Sequence, residues 1–349
     1  MKKFLRTAVC LTMAALMSMA TGCGARGSAG GGQDAGDGAE TIELKLAHIY
    51  STNSNEDQYF QEFKKRVEEE TEGGVTITIF PNSQLGSEAE TMQQVVLGTT
   101  DMAFGEGSSW ANAINKPELG VFGLPFLCSD LDGQAAIMRE LVLQEGTDMM
   151  VPSGVRPIFS FSGSIRNAIM KTKPIYTLED CKGVKIRVPE VSLFVDTWKN
   201  LGANPTTTPW GDVYTAISQG VVEGAEVDAC TIVDSNLQEI TKYYSLTGHI
   251  SSINIVAVNE EKWQTIPEEY RSVILKVGAE VQEEQVKARK TADDEAVDVM
   301  EAAGVEVNKL EDGEYEKMVA SQQPIYDQYA EDYGLGDLIG KLKEAGSGK

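Results

Sequence analysis

Thr41-Ile42-Glu43-Leu44-Lys45-Leu46-Ala47-His48 sets Ile42, Leu44 and Leu46 in alternation with other residues. A period of two marks a strand with one buried face. A helix is predicted from about 56 to 70, where Phe60, Phe63 and Val67 recur at helical spacing and Gly73-Gly74 ends the run. Residues 75–80 read as a second strand. Ser87-x-x-Glu90 is a capping-box pattern; it opens a helix through Met92, Val95 and Val96 that stops at Gly98. Residues 101–104 form a third short strand. Strand, helix, strand, helix in this rhythm predicts an α/β protein, its parallel-rich sheet covered by helices.

Further along, the pattern recurs at 157–161, 184–188, 191–201 and 213–219. Pro267 is suited to the first position of a helix, with Glu268 and Glu269 at its positive end. That helix carries Val273, Val277, Val281, Ala288, Ala292, Ala296 and Met300 and extends to about 303, long enough to brace two domains. A break near Gly278 into two helices is the alternative.

The 349 residues hold 30 Lys and Arg against 53 Asp and Glu, a formal charge of −23. Length suggests about two domains. So acidic a balance argues against nucleic acid, whose phosphates reward clustered Lys and Arg. It also argues against adhesion to anionic lipid head groups.

Lys2, Lys3 and Arg6 precede an apolar run over 8–20 that ends in Ala20-Thr21-Gly22-Cys23. The run is too short for a spanning helix. Small residues before a cysteine resemble the bacterial lipobox, which makes Cys23 the lipidation site and residues 1–22 a signal peptide. The Gly-rich stretch 23–40 then reads as a flexible tether. The expected location is extracytoplasmic, lipid-anchored to the cell membrane. Gly22-Cys23-Gly24-Ala25-Arg26-Gly27 matches G-x-G-x-x-G only by accident, since no strand precedes it.

Cys128, Cys181 and Cys230 are too scattered for a disulfide framework or a CxxC site and read as small buried hydrophobes, with a bridge between one pair as the alternative. With only His48 and His249, no zinc cluster is in view. Neither a G-x-S-x-G elbow nor a Walker A loop occurs. No cofactor, metal or enzymatic activity is expected.

Arginines are more informative. Arg166 follows Gly163-Ser164-Ile165 after a strand, and Arg187 lies within Val184-Lys185-Ile186-Arg187-Val188-Pro189. A guanidinium grips a carboxylate with two parallel bonds. Two of them at strand ends either hold an anionic ligand in a cleft or brace interior acids.

Several stretches, in order, resemble the substrate-binding proteins of tripartite ATP-independent periplasmic (TRAP) transporters. They are Phe80-Pro81-Asn82-Ser83-Gln84-Leu85-Gly86, Gly98-Thr99-Thr100-Asp101-Met102-Ala103, Leu124-Pro125-Phe126, Lys182 through Pro189, Leu201-Gly202-Ala203, Val213-Tyr214, and Gln219 through Glu226. The likeness covers about 41–345. It implies a two-domain periplasmic-binding-protein fold with mixed sheets, crossing strands and a long helix bracing both domains. The domains it implies are 41–163 with 253–292, and 164–252 with 293–345.

The resemblance further implies that Arg187 pairs with a ligand carboxylate and Arg166 assists. Trp210 covers the ligand, and Glu88 and Glu106 take its hydroxyls. Glu88 also reads as a plain first-turn acid of its helix. Where sialic acid receptors carry an Asn after Gly-x-Glu, this chain has Val227-Asp228. An Asn of their first strand–helix loop is replaced by Ile49, beside His48 and Tyr50. With Asp228 and His48 counted among the ligand-binding residues, several acids around one carboxylate favour a hydroxyl-bearing monoacid, such as a uronate or aldonate. A C4-dicarboxylate or keto acid is the runner-up ligand. The expected partners are TRAP membrane subunits, with a membrane sensor kinase as the alternative. A lipid-anchored hydrolase is the remaining contrary reading.

Overall fold

The structure, a computed structural model, describes residues 41–347. The signal peptide, the tether and Cys23 lie outside the described residues. Nine strands are described: β1 (Ile42–Ala47), β2 (Val75–Phe80), β3 (Met102–Glu106), β4 (Val155–Met170), β5 (Lys185–Val188), β6 (Asn204–Thr207), β7 (Gly224–Val227), β8 (Tyr243–Asn259) and β9 (Glu306–Lys309). They form one mixed sheet in the order β2-β1-β3-β8-β4-β7-β5-β6, with β9 also on β8.

Two strands cross the whole molecule. β4 and β8 run antiparallel from Val155 opposite Asn259 to Met170 opposite Tyr243. Upstream of Ser162, β4 pairs with the part of β8 that also carries β3. Beyond Ile165 it pairs with the start of β8 and, on its other edge, with β7. Register slips between Ser162 and Ile165 and again between Arg166 and Ala168. Such bulges bend a strand and sharpen its twist. Gly163 is required there, because a Cβ would stand 2.6 Å from Asn254 Nδ2 and 2.8 Å from Ser252 Oγ. The sheet therefore has two halves joined through a shared, bent pair of strands.

Each half is covered by helices whose apolar stripes explain the packing. Ser54 caps helix Asn55–Glu70 by accepting from Asp57 N–H, and the helix buries Phe60, Phe63 and Val67 completely. These rings pack with Leu44, Leu46, Phe104, Phe159 and Phe161 of the first half. Each such side chain is worth ~1.5–3 kcal/mol of burial. Helix Glu88–Val96 starts with the capping box read from Ser87 and Glu90. On the second half, Ile169, Ala225, Val227, Ile232 and Tyr244 form a separate cluster.

Helix Glu268–Ala302 is continuous over 35 residues, with Pro267 as its N-cap residue rather than its first residue. Ile274, Val277 and Val281 pack into the first half, and Ala296 and Met300 into the second. Gly278 does not break it. A Cβ there would lie 2.6 Å from Phe159 Cδ1, so glycine permits close contact with β4.

The middle of its buried face is polar, unlike the apolar stripe expected. Gln282 Oε1 accepts from Ser160 N–H (2.9 Å); Gln285 accepts from Ser162 N–H (3.0 Å) and donates to Ser162 carbonyl (2.8 Å). These groups lie on β4 before β7 joins it at Asn167, and buried backbone groups need partners. Cys128, Cys181 and Cys230 are buried free thiols.

Candidate functional site

β1, β3, β5 and β7 end at the same place, and β4 bends there. Ligands in open α/β sheets bind beyond the carboxyl ends of the strands. Here those ends surround a cleft with two adjoining cavities. One, about 120 Å³, is lined among others by Glu88, Ser109, Asn112, Arg187 and Trp210. A smaller one of about 40 Å³ is bounded by Tyr50, Glu106, Arg166, Phe194, Val227 and Asn254. Ile49, Glu88, Arg187, Pro189 and Trp210 border both.

Arg187 comes from β5 and is only 4% exposed. Its Nε and Nη2 donate to the Thr208 carbonyl at 2.8 and 2.6 Å. The guanidinium carbon lies 5.3 Å from the centroid of the Trp210 ring. Among the described residues no carboxylate forms an ion pair with it. Burial pulls its pKa down to about 10. A fixed, desolvated cation without an anion is suited to receive one.

Arg166, on β4, is differently placed. Nε and Nη2 grip the Glu226 carboxylate at 2.6 and 2.8 Å, and Nη2 also donates to the Glu226 carbonyl at 2.7 Å. Glu226 in turn meets His249 Nε2 at 3.2 Å, and His249 Nδ1 meets Thr247 Oγ1 at 2.8 Å. Burial would raise the Glu226 carboxyl, but Arg166 and His249 hold it below the ordinary carboxylate value. Burial lowers the pKa of His249. Arg166 thus takes the interior brace that its sequence left open, while it also borders the smaller cavity. Sequence reasoning missed Glu226 and His249 as site residues. The signal was present: Glu226 stands in the quoted Gly224-Ala225-Glu226, and His249 is one of only two histidines.

Glu88 is the first residue of its helix and also borders both cavities. Its Oε1 accepts from Glu106 N–H (2.8 Å) and its Oε2 from Ser109 Oγ (3.0 Å). Burial raises its pKa. Glu106, at the end of β3, accepts from Ser252 Oγ at Oε2, while its buried Oε1 has no partner. Burial pushes it up to about 8.

Two expected residues are not brought to the cleft. His48 is 1% exposed and turns inward, with Nε2 3.2 Å from Asp57 and its ring 5.0 Å from Phe60. Its neighbours Ile49 and Tyr50 line the cavities instead. Asp228 caps helix Ala229–Asp234 by accepting from Thr231 N–H (3.0 Å). It also receives Arg289 Nη2 at 2.5 Å. Asp228 is thus engaged by Arg289 and by its own helix cap and does not line the cavities. Arg289 also bonds Glu56 (3.1 Å) and Asp293 (3.1 Å). Asp228, Cys230 and Asp293 bring potential metal-ligand atoms within 4.8 Å of one another. The Arg289 guanidinium already supplies the positive charge at that spot.

Two α/β halves on shared strands, with a charged cleft at the strand ends, define a solute receptor of the periplasmic-binding-protein class. A sequence model of the bacterial extracellular solute-binding proteins, family 7 (DctP), matches residues 46–332, and the chain belongs to that family. It is similar to a solute-binding protein of Roseobacter denitrificans, 29% identical over 70% of this chain and 74% of the relative. A TRAP periplasmic solute-binding protein of Haemophilus influenzae with bound L-gulonate is 27% identical, with TM-score 0.83 over 87% of this chain and 100% of the other. A TRAP periplasmic solute-binding protein of Xanthobacter autotrophicus with bound β-D-galacturonate is 28% identical, with TM-score 0.80 over 86% of this chain and 99% of the other. Among the described residues no helix is long and apolar enough to cross a membrane.

Proposed function

We propose that the protein captures a sugar acid, a uronate or aldonate, for a TRAP transporter. The carrying observation is Arg187, a buried guanidinium with no carboxylate partner among the described residues, held against Trp210 and aimed by Thr208. The sugar acids bound by the similar solved structures support the ligand class. Glu88 and Glu106, rather than Asp228, supply the oxygen-rich wall that favours hydroxyls over a second carboxylate.

Capture is followed by closure of the two halves over the ligand, with bending at β4, β8 and the long helix. The register break after Ser162 supports lobes comprising 41–163 with 253–292, and 164–252 with 293–345. The closed form delivers its ligand to TRAP membrane subunits. Lipidation at Cys23 anchors the receptor outside the cytoplasmic membrane. A role as receptor for a sensor kinase would use the same cleft and is separated by assaying uptake in a strain lacking the protein.

The deciding experiment is a thermal-shift screen of the purified protein against uronates, aldonates, C4-dicarboxylates, keto acids and sialic acid. Ligand at 100 times its dissociation constant adds about 2.7 kcal/mol. A uronate or aldonate shift supports the proposal. A shift confined to dicarboxylates or keto acids overturns the ligand class, and turnover of a sugar acid overturns the receptor role.

A further inference from the structure

The cleft gathers more negative than positive charge before any ligand arrives. Glu88, Glu106 and Glu226 face Arg166 and Arg187, and Glu190 stands exposed at the rim. A sugar acid brings one more carboxylate into this desolvated space, where like charges repel strongly. Neutralising one of these acids relieves part of that repulsion.

The hydrogen bonds single out which one. Glu226 has both oxygens on Arg166, with His249 beside it. Glu88 has a donor on each oxygen, the Glu106 N–H and the Ser109 hydroxyl. Glu106 has a donor only on Oε2, from Ser252; Oε1 is buried and bare. An ionised carboxylate offers acceptors on both oxygens, and leaving one buried and empty costs its full desolvation. A proton on Oε1 removes the negative charge that burial penalises most and gives the oxygen an O–H to donate to an incoming ligand oxygen.

The groups around Glu106 agree. Glu88 from helix Glu88–Val96 and Glu226 from β7 oppose its ionisation; Arg166 from β4 favours it, and Ser252 from β8 bonds it. Arg187 from β5 and Tyr50 after β1 border the same cavity. Gly123 from the neighbouring chain segment brings no charge, its missing Cβ position lying 3.7 Å from Oε1. Burial is the largest influence and sets the pKa near 8.

We propose that Glu106 enters the ligand complex as a neutral carboxylic acid with its proton on Oε1, so that the cleft selects a monoanion and its affinity is linked to one proton. The proposal rests on the sugar-acid reading for its ligand but not for its test. Free Glu106 is mostly protonated at pH 7 and loses the proton on the way to pH 9. Binding at pH 9 must then restore it. The dissociation constant rises with pH above about 8, approaching tenfold per unit.

The experiment has two arms. Titration calorimetry with D-glucuronate at pH 6.5 and 9, in buffers of different ionisation heat, counts protons. Uptake near zero at pH 6.5 and approaching one at pH 9 is expected. Glu106→Gln abolishes the uptake, and Glu56→Gln, at the other strongly shifted acid, leaves it in place. In the second arm, infrared difference spectra of the ligand-free protein between pH 6 and 9.5 show a protonated carboxyl band that Glu106→Gln removes. Glucuronate binding without proton uptake overturns the proposal and leaves the receptor reading intact. Failure of every sugar acid to bind overturns the receptor's ligand class, and the infrared arm still decides Glu106: no band lost with the variant overturns the proposal.

Discussion

The Arg187 guanidinium stands 5.3 Å over the Trp210 ring while two of its N–H groups end on the Thr208 carbonyl. This holds a charge in place without neutralising it. Truncating one side of a buried charge pair costs about 2–5 kcal/mol. Arg187→Ala is therefore expected to weaken the sugar acid more than ~10-fold by calorimetry. Trp210→Ala is expected to cost less, about 0.5–2 kcal/mol for the lost ring–cation contact. Unchanged affinity in Arg187→Ala would refute the clamp.

Glu226 links stability to acid. Its native carboxyl is held below the ordinary value by Arg166 and His249, whereas an unfolded Glu titrates near 4.3. The unfolded state thus binds the proton more readily. The stabilisation is complete above the unfolded value and is lost as pH falls through the native one. Glu226→Gln leaves Arg166 buried without its partner and is expected to cost about 3–5 kcal/mol at pH 7 in urea unfolding. The gap to wild type should narrow at pH 3.5; a gap of constant size would show that the pair does not titrate as described.

Arg289 ties the long helix to both halves, bonding Glu56 from the first and Asp228 from the second. Arg289→Met keeps the stem and removes the charge, stranding Glu56, Asp228 and Asp293. A loss of about 3–5 kcal/mol is expected in chemical unfolding. Wild-type stability in this variant would mean that water reaches those acids.

Gly278→Ala tests the close approach of that helix to β4. The new methyl meets Phe159 Cδ1 at 2.6 Å, and overpacking of this kind costs about 1–3 kcal/mol. On an exposed helix the same change would stabilise, so the sign of the effect in thermal unfolding decides.

Local rules made much of this architecture readable. Phe60, Phe63 and Val67 announce their helix by spacing, and Ser87 with Glu90 announces the next by its cap. Arg187 stood out as a charge in a strand whose other face is apolar. β8 was not legible: its run of 17 residues mixes His249, Ser251, Ser252 and Asn254 into apolar sequence and shows no clean alternation. Those polar residues face partners contributed from far along the chain, as Ser252 faces Glu106 and His249 faces Glu226. Asp228 and His48 misled for the same reason. Their partners, Arg289 and Asp57, lie 61 and 9 residues away, and nothing local says that they are already bonded. Which of several acids meets a cation is a tertiary fact.

The shared strands also bear on how the chain comes to be. β1 and β3 are joined to the rest of the sheet only through β8, whose partner segment for β3 is Asn254–Val258. No ribosome can hand over a finished first half until residue 258 has emerged, and contacts of such sequence separation form slowly. The first half is therefore closed late in synthesis, by a strand that also belongs to the second.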